Sequence, residues 1–193
     1  MQTDKLIDHL LNHVSFDERE AEIIVSSFTT RHFKKKEFLL RAGEICRVES
    51  FVGQGCFRTF TVDENGYDRT LVFSVEDWWT GDMLSFLTAK PSMYNIEALE
   101  DAEVLQISKE RLEDLYLEVP KLERYFRLLV QNAYISQLER INTGLSQTAE
   151  QRYLLFLENY PGFAQRIPQK YIASFLGITP EFLSMLRGKL SRR

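Results

Sequence analysis

Two short helices joined by a tight turn are predicted within Ile167–Leu190, and this segment constrains the chain more than any other. Pro168 suits an early helical position, where its missing N–H costs least. Gly177 lets the chain turn sharply, because glycine adopts a positive φ without strain. Thr179 then suits the N-cap of the second helix, with Pro180 as its first residue. This is the pattern of a helix-turn-helix.

Apolar spacing supports the same interpretation. Apolar residues recur on one face of each helix: Ile172, Phe175 and Leu176 in the first, and Phe182, Leu183 and Leu186 in the second. An ordinary corner between two helices of an all-helical subdomain is the alternative. Capping, turn and spacing agree over about twenty residues, which favours a DNA-binding motif.

Charge is distributed unevenly along the 193 residues. The net charge is −4, yet from Gly144 onward seven Lys and Arg residues stand against three Glu residues, which gives +4 and leaves −8 for the rest. A basic terminal segment on an acidic body suits a phosphate-binding module attached to a sensing or dimerising part.

The N-terminal segment, the lengths of the apolar runs and the cysteines indicate the cellular compartment. Met1–Asp17 carries charges throughout and has no signal-peptide apolar region, and no apolar run approaches the length of a membrane span. We therefore expect a cytoplasmic location. Cys46 and Cys56 lie ten residues apart without a CxxC motif, so reduced thiols are favoured over a disulfide or a metal role.

Two amphipathic helices are predicted near the start, at Asp4–Val14 and at Phe16–Ser27, the second capped by Asp17 or Ser15. His9 and His13 are four residues apart, a spacing that can hold a metal. No carboxylate or Cys motif accompanies them, so we expect two exposed histidines and no metal site.

From Thr29 to Ser108 the apolar period changes from helical to alternating. The strand segments are Thr30–Leu40, Glu49–Val62, Tyr67–Val75 and Ile96–Ile107, each bounded by turn signals. Asn65-Gly66 predicts a hairpin with a type I′ turn. Short strands at this spacing favour a β-roll or barrel.

Helices follow the strands. Ser108 caps a helix to Leu117, Pro120 opens a long helix to about Gly144, and Thr148–Tyr160 resumes the helical pattern. Apolar residues step by three and four along the long helix, which fits either a dimer seam or packing against the chain's own β-domain. They are Leu122, Phe126, Leu129, Ala133, Tyr134, Leu138, Ile141 and Leu145.

The predicted fold class is α+β. Residues 1–119 form a double-stranded β-helix, or β-roll, sensor domain; residues 120–145 form a dimerisation helix and hinge; residues 146–193 form an all-α helix-turn-helix domain. Dimerisation is attractive because a single helix-turn-helix reads little DNA, whereas a two-fold pair presents two half-sites about one DNA turn apart.

Four segments occur in the order expected of one known family: Arg41-Ala42-Gly43-Glu44, Gly81-Asp82-Met83-Leu84, Ala98–Val104 and Ile172–Leu190. With the β-roll, long helix and helix-turn-helix, the chain resembles the cyclic-AMP receptor protein (Crp/Fnr) family of bacterial transcription regulators over essentially its whole length. It looks especially like short members that end just after the recognition helix, without the usual β-wing.

The resemblance implies an effector pocket, and the residues aligned with it are degenerate. The family's pocket uses a Gly-Glu pair for the ribose and an Arg-Ser pair for the cyclic phosphate. Here the pocket positions are Gly43, Gly81, Asp82, Met83, Ser92 and Met93, with Ser92 at the Arg position and Met93 at the Ser position. A buried phosphate would lack its charge-assisted partner, so we expect no useful cyclic AMP binding.

The resemblance also bears on cofactors. The family's oxygen sensors hold an iron–sulfur cluster with several N-terminal cysteines, and none lies before Cys46. A haem ligand such as His32 remains open, but nothing around it supports one. No cofactor is therefore predicted, and the effector is unknown.

At the DNA end, the resemblance implies base or phosphate contacts by the start of the second helix and phosphate contacts by nearby polar and basic residues. The first group is Thr179, Pro180, Glu181, Ser184 and Met185, and the second is Gln169, Lys170, Arg187, Lys189, Arg192 and Arg193. Met185 stands where the family often has Arg. Met cannot make the guanine contact, although it can meet a thymine methyl group.

The sequence thus predicts a dimeric, sequence-specific DNA-binding transcription regulator that is not an enzyme and does not respond to cyclic AMP. Its expected partners are double-stranded DNA, a second copy of the chain, RNA polymerase and an unknown small-molecule effector, with no membrane. One alternative is a β-roll ligand-binding or protein-interaction module whose terminal domain no longer binds DNA. Another is a double-stranded β-helix enzyme, for which three scattered histidines do not supply the metal ligands.

Overall fold

The computed structural model describes residues 2–190; the candidate phosphate contacts Arg192 and Arg193 lie outside the described residues. Helices flank a central run of strands. They are α1 (Gln2–Leu11), α2 (Glu18–Ser26), α3 (Met83–Thr88), α4 (Lys109–Glu118), α5 (Lys121–Ser146), α6 (Ala149–Asn159), α7 (Phe163–Arg166), α8 (Gln169–Leu176) and α9 (Pro180–Leu190).

The strands form two four-stranded sheets. They are β1 (Thr29–Phe33), β2 (Phe38–Leu40), β3 (Val48–Gln54), β4 (Phe57–Val62), β5 (Asp68–Ser74), β6 (Trp79–Thr80), β7 (Asn95–Ala98) and β8 (Ala102–Ser108). One sheet has the order β1-β8-β3-β6 and the other β2-β7-β4-β5. β8 pairs antiparallel with both β1 and β3, and β7 with both β2 and β4. This arrangement confirms the predicted α+β class with a β-roll.

Side-chain caps set where three helices begin. Asp17 accepts a hydrogen bond from the Glu20 N–H at the start of α2. Ser108 caps α4 through the N–H of Arg111, and Thr148 caps α6 in a reciprocal pair with Gln151. Each cap satisfies an N–H that the helix itself leaves unpaired, which is why these starts could be predicted from sequence.

The described residues form two compact units. The first comprises residues 2–61 and 72–131, and the second residues 62–71 and 132–190. In the first unit the two sheets enclose an apolar core in which the rings of Phe33 and Phe57 meet edge to face at 5.4 Å. Leu6 of α1, Ile24 of α2 and Leu115 of α4 are fully buried in the same core.

The beginning of α5 belongs to this core and corrects part of the predicted dimer seam. Leu122 and Phe126 are buried within this chain, and Leu129 packs against the same cluster. The Nε1–H of Trp79 donates to the hydroxyl of Tyr125 at 2.7 Å. Core packing and a helix–helix seam demand the same apolar spacing, so the sequence could not separate them. Ala133, Leu138 and Ile141 are exposed.

The second unit has a small core built from α6 to α9. Phe156 of α6 lies against Phe163 of α7 and Phe175 of α8, with ring centroids 6.2 and 5.7 Å apart. The buried residues that close this core are Tyr153, Phe163, Ile167, Ile172, Ala173, Leu176, Leu183 and Leu186.

Two local expectations were wrong. The hairpin turn has a positive φ at Gly66, +80°, but not at Asn65, so it is not type I′. Instead, Asp63 Oδ1 accepts hydrogen bonds from the N–H groups of Asn65 and Tyr67, which holds the turn from one side chain.

His9 is half-buried rather than exposed. Its ring lies 5.4 Å from that of Phe51 and 5.4 Å from that of His13. Burial, together with the nearby His13, lowers the pKa of His9. Within residues 2–190, no group of three or more His, Cys, Asp or Glu side chains is placed to hold a metal.

Candidate nucleic-acid interface and effector pocket

The turn between α8 and α9 has the local geometry that its sequence predicts. Gly177 ends α8 with φ +68° and ψ +34°, and its N–H reaches back to the carbonyl of Ser174. Thr179 Oγ1 accepts from the N–H of Phe182 at 3.2 Å, as expected of an N-cap. The carbonyl of Thr179 accepts from the Leu183 N–H at 3.0 Å. Glycine is needed because other residues adopt this φ only under strain.

Two arginines hold the C-terminal end of α8. Arg152 donates to the carbonyl of Leu176 at 3.1 Å and to that of Gln147 at 2.8 Å. Arg140 lies over the ring of Phe175, 4.1 Å from its centroid, and burial lowers its pKa. A cation at a helix C-terminus is favourable because the last carbonyls are unpaired and the dipole is negative there. Arg152 therefore acts within the protein, although the sequence placed it among the basic residues of the terminal segment.

One face of α9 is open to solvent. Leu183 and Leu186 are buried, whereas Glu181, Ser184 and Met185 are exposed. The exposed residues recur at the spacing of one helix face. Thr179 and Pro180 are also exposed, so all five residues predicted to contact bases or phosphates at the start of this helix lie at the surface.

The candidate phosphate contacts differ in availability. Gln169 and Lys170 are exposed in the first turn of α8, and Arg187 is half-buried. Lys189 Nζ lies 2.8 Å from a carboxylate oxygen of Glu150. Exposed ion pairs are weak, so Lys189 can still exchange its partner, but it is less available than Lys170.

Phe182 is a surface residue that sequence reasoning missed. It is 40% exposed and lies at the edge of a groove of about 330 Å³ between α9 and the start of α6. The groove is lined by Thr148, Ala149, Glu150, Phe182, Met185, Leu186 and Lys189. Its place in the apolar pattern beside Leu183 and Leu186 made Phe182 look like a core residue, and no sequence signal distinguishes the two.

The candidate effector residues are only partly brought together. The N–H of Gly43 donates to the carbonyl of Ser92, and the N–H of Ser92 to the carbonyl of Glu44, both at 2.8 Å. The side-chain oxygens of Ser92 and Asp82 take up local bonds: Ser92 Oγ accepts from the Tyr94 N–H, and Asp82 caps α3. Met83 and Met93 are exposed.

Beside Asp82 lies a second buried carboxyl, Glu49, which the sequence analysis did not single out. Glu49 is 5% exposed, and its Oε1 has no hydrogen-bond partner among the described residues. Burial, with a smaller effect from the charge of Asp82, raises the pKa of Glu49 to about 8. The polar character of this region is therefore acidic rather than basic. The position of Glu49 within a predicted strand gave no indication that its side chain is buried.

Cys46 lies beside Asp82 in the same buried region. Its thiol lies 3.5 Å from the N–H of Asp82, and its own N–H donates to Ser85 Oγ at 2.9 Å. Burial raises the pKa of the Cys46 thiol to about 11. Cys46 and Cys56 are both buried free thiols.

Comparisons with known proteins agree with this architecture. Residues 30–118 match the family model of the cyclic nucleotide-binding domain. The chain is 28% identical over 172 residues to the fumarate and nitrate reduction regulatory protein of Vibrio cholerae, an alignment that covers 82% of this chain and 67% of that protein. It is 25% identical to the regulatory protein HlyX of Actinobacillus pleuropneumoniae, over 82% of this chain and 70% of the other.

A solved structure shows the same fold. FixK2 from Bradyrhizobium japonicum superimposes with a TM-score of 0.74 at 18% identity, covering 86% of this chain and 85% of that one. No helix in residues 2–190 is long and apolar enough to cross a bilayer. With the two-sheet β-roll, the long α5 and the α8–α9 pair, the chain is similar over about four fifths of its length to transcription regulators of the Crp/Fnr family, and its residues 30–118 match the cyclic nucleotide-binding domain.

Proposed function

We propose that this regulator binds double-stranded DNA through α8 and α9 as a homodimer, without cyclic AMP. The observation that carries the proposal is the open face of α9. Its buried side, Leu183 and Leu186, fixes the helix on the second unit, while Glu181, Ser184 and Met185 point to solvent. A recognition helix needs this division, because its N-terminal residues must reach base edges in the major groove.

Phosphate contacts would fix the protein on the duplex. Lys170 is exposed at the start of α8, where the unpaired N–H groups also favour an anion. Arg187 and Lys189 lie in the last turn of α9. Contacts of this kind position the protein and carry no sequence information directly.

The exposed stripe on α5 supports a homodimer. Large apolar side chains remain uncovered along this helix over four turns, and they recur at intervals of three and four residues. They are Val130, Tyr134, Leu138, Ile141 and Leu145. A second α5 would cover them, and a two-fold pair would present two α9 helices to two half-sites. RNA polymerase is the expected partner of such a dimer in transcription.

Binding of cyclic AMP is not expected, because the residues at the phosphate position do not fit an anion. Ser92 and Met93 supply no cation, and the negative charge of the buried Asp82 nearby would oppose a phosphate. Isothermal titration should detect no cyclic AMP binding at micromolar concentrations. Heat of binding that saturates with one nucleotide per chain would contradict this part of the proposal.

An electrophoretic shift assay tests DNA binding. Replacing both Lys170 and Arg187 by Ala should weaken binding to all sequences about equally. It should also reduce the steepness of the salt dependence by about one unit for each phosphate group that the variant no longer neutralises.

Lys35→Ala is the matched control, since Lys35 is an exposed lysine of the first unit. It should leave the shift unchanged. A double variant that binds as tightly as the wild type, or a wild-type protein that shifts no duplex, would show that α8 and α9 are not a DNA interface. The second result would favour a β-roll module whose terminal domain no longer binds DNA.

A further inference from the structure

In the described part of α9, the exposed face near the start of the helix lacks the cationic groups that recognise guanine most strongly. Guanine is read most strongly by a guanidinium or ammonium group that donates to its O6 and N7 atoms. In the described part of α9 the cations are Arg187 and Lys189. Arg187 is half-buried, on the side of the helix next to Leu183, and Lys189 is paired with Glu150 at 2.8 Å. Neither lies at the N-terminal part of the helix, where base edges are reached.

The same face offers apolar surface instead. Met185 is 62% exposed, and Phe182, one turn before it, is 40% exposed; with Leu186 they line the groove of about 330 Å³. The major groove presents a single apolar group, the C5-methyl of thymine. Apolar side chains of a recognition helix can therefore distinguish thymine, and Met is flexible enough to follow the position of the methyl group.

Glu181 adds a polar component beside this surface. It is exposed four residues before Met185, on the same helix face, and its carboxylate can accept a hydrogen bond from a cytosine amino group. A carboxylate would also repel phosphates, which keeps this part of the helix over the bases rather than over the backbone.

Resting on the proposed DNA binding, we infer that Met185, with Phe182 beside it, reads a thymine methyl group in each half-site, next to a base whose amino group meets Glu181. Met185 is then a specificity-determining residue. Recognition of thymine by Met185 depends on shape and on burial of one methyl group rather than on hydrogen bonds.

The test begins with selection of bound duplexes from a randomised pool by the full-length wild-type protein. A thymine should be enriched at one position of each half-site. Each such thymine is then replaced by deoxyuridine, which removes only the methyl group. Burial of one methyl group predicts about fourfold weaker binding per half-site. Replacing the thymine by 5-methylcytosine, which carries its methyl group at the same place, should recover part of the affinity lost with unmethylated cytosine.

Variants assign the effect to the side chain. Met185→Ala should bind the thymine and deoxyuridine duplexes equally, Met185→Leu should keep the preference, and Met185→Arg should change the selected base to guanine. Because Met185 is exposed, its replacement by Ala or Leu should leave folding intact.

The outcomes separate the two proposals. Wild-type protein that binds duplexes but does not distinguish thymine from deoxyuridine overturns the assignment to Met185 and leaves DNA binding intact. The same conclusion follows if Met185→Ala retains the full preference, or if wild-type selection enriches guanine there. Failure to bind any duplex overturns both proposals.

Discussion

At the scale of single residues, the side chain of Glu49 occupies space that only a glycine at position 81 leaves free. A Cβ atom at position 81 would lie 2.6 Å from Glu49 Oε2, so only glycine leaves room for this carboxyl group. Glu49 is buried and one of its oxygens has no hydrogen-bond partner among the described residues. A buried carboxyl in such a position avoids the cost of a bare charge by holding its proton.

The proton on Glu49 makes stability depend on pH. The folded pKa is about 8, well above the ordinary value, so from about pH 4.5 to 8 the unfolded chain releases a proton that the folded chain keeps. Stability from this group is therefore full at low pH and is lost as the pH rises. Glu49→Gln removes the titration, so the variant should gain ~3 kcal/mol relative to wild type between pH 5 and pH 8.

Urea unfolding followed by tryptophan fluorescence at several pH values measures this difference. Glu113→Gln, at an exposed position of α4, is the control and should parallel the wild type. Equal pH dependence of Glu49→Gln and wild type would show that Glu49 is ionised in the folded protein.

At the scale of elements, Ser174 of α8 protects an open strand edge. β5 is at the edge of its sheet, and the Ser174 hydroxyl donates to the carbonyl of Asp68 at 2.7 Å while accepting from the N–H of Thr70 at 2.9 Å. One hydroxyl thus satisfies the two backbone groups that a further strand would pair. Exposed edges invite association with other chains, and this contact closes part of one.

Ser174→Ala should remove the acceptor of the Thr70 N–H and the hydroxyl that donates to the Asp68 carbonyl. We expect a loss of about 1–2 kcal/mol in stability and faster hydrogen exchange at the amide of Thr70. Hydrogen-exchange NMR measures that amide directly. Ser184→Ala, on the open face of α9, should leave its exchange rate unaltered. Unchanged protection of Thr70 in Ser174→Ala would mean that the hydroxyl contributes nothing to the edge.

Some elements could be predicted from the sequence because a local rule determines them. The starts of α2, α4 and α6 follow from caps, and the turn at Gly177 follows from the need for a positive φ. β6 and α3 were not predicted, because two residues of strand and six of helix are too short to show a period.

Tertiary placement could not be predicted in the same way. Leu122 and Leu138 belong to one apolar stripe, yet the first is buried within the chain and the second is exposed. Neither Glu49, which packing buries, nor the contact of Arg152 with the carbonyl of Leu176 was singled out from the sequence. Periodicity identifies an apolar face but not the partner that covers it.

At the scale of the whole molecule, an exposed apolar stripe on α5 and an exposed face of α9 occur in the same chain. Each feature alone leaves apolar surface in water: Leu138, Ile141 and Leu145 on α5, and Met185 on α9. Pairing along α5 would bury the first set, and DNA would cover the second.

Replacing Leu138 and Ile141 by Glu tests whether pairing along α5 is needed for DNA binding through α9. The double variant should be monomeric and should lose most of its DNA affinity, because each α9 alone reads a single half-site. It should still fold, since both side chains are exposed. Ser136→Glu, exposed on the other side of α5, should remain dimeric and bind DNA. A double variant that stays dimeric would mean that the chains pair elsewhere.

Sedimentation velocity of the wild-type protein with a selected duplex tests dimeric DNA binding most directly, because it reports both association and DNA binding. We expect two chains on each duplex, and two chains in solution before DNA is added. One chain per duplex, or a dimer that leaves the duplex sedimenting alone, would contradict the proposed function.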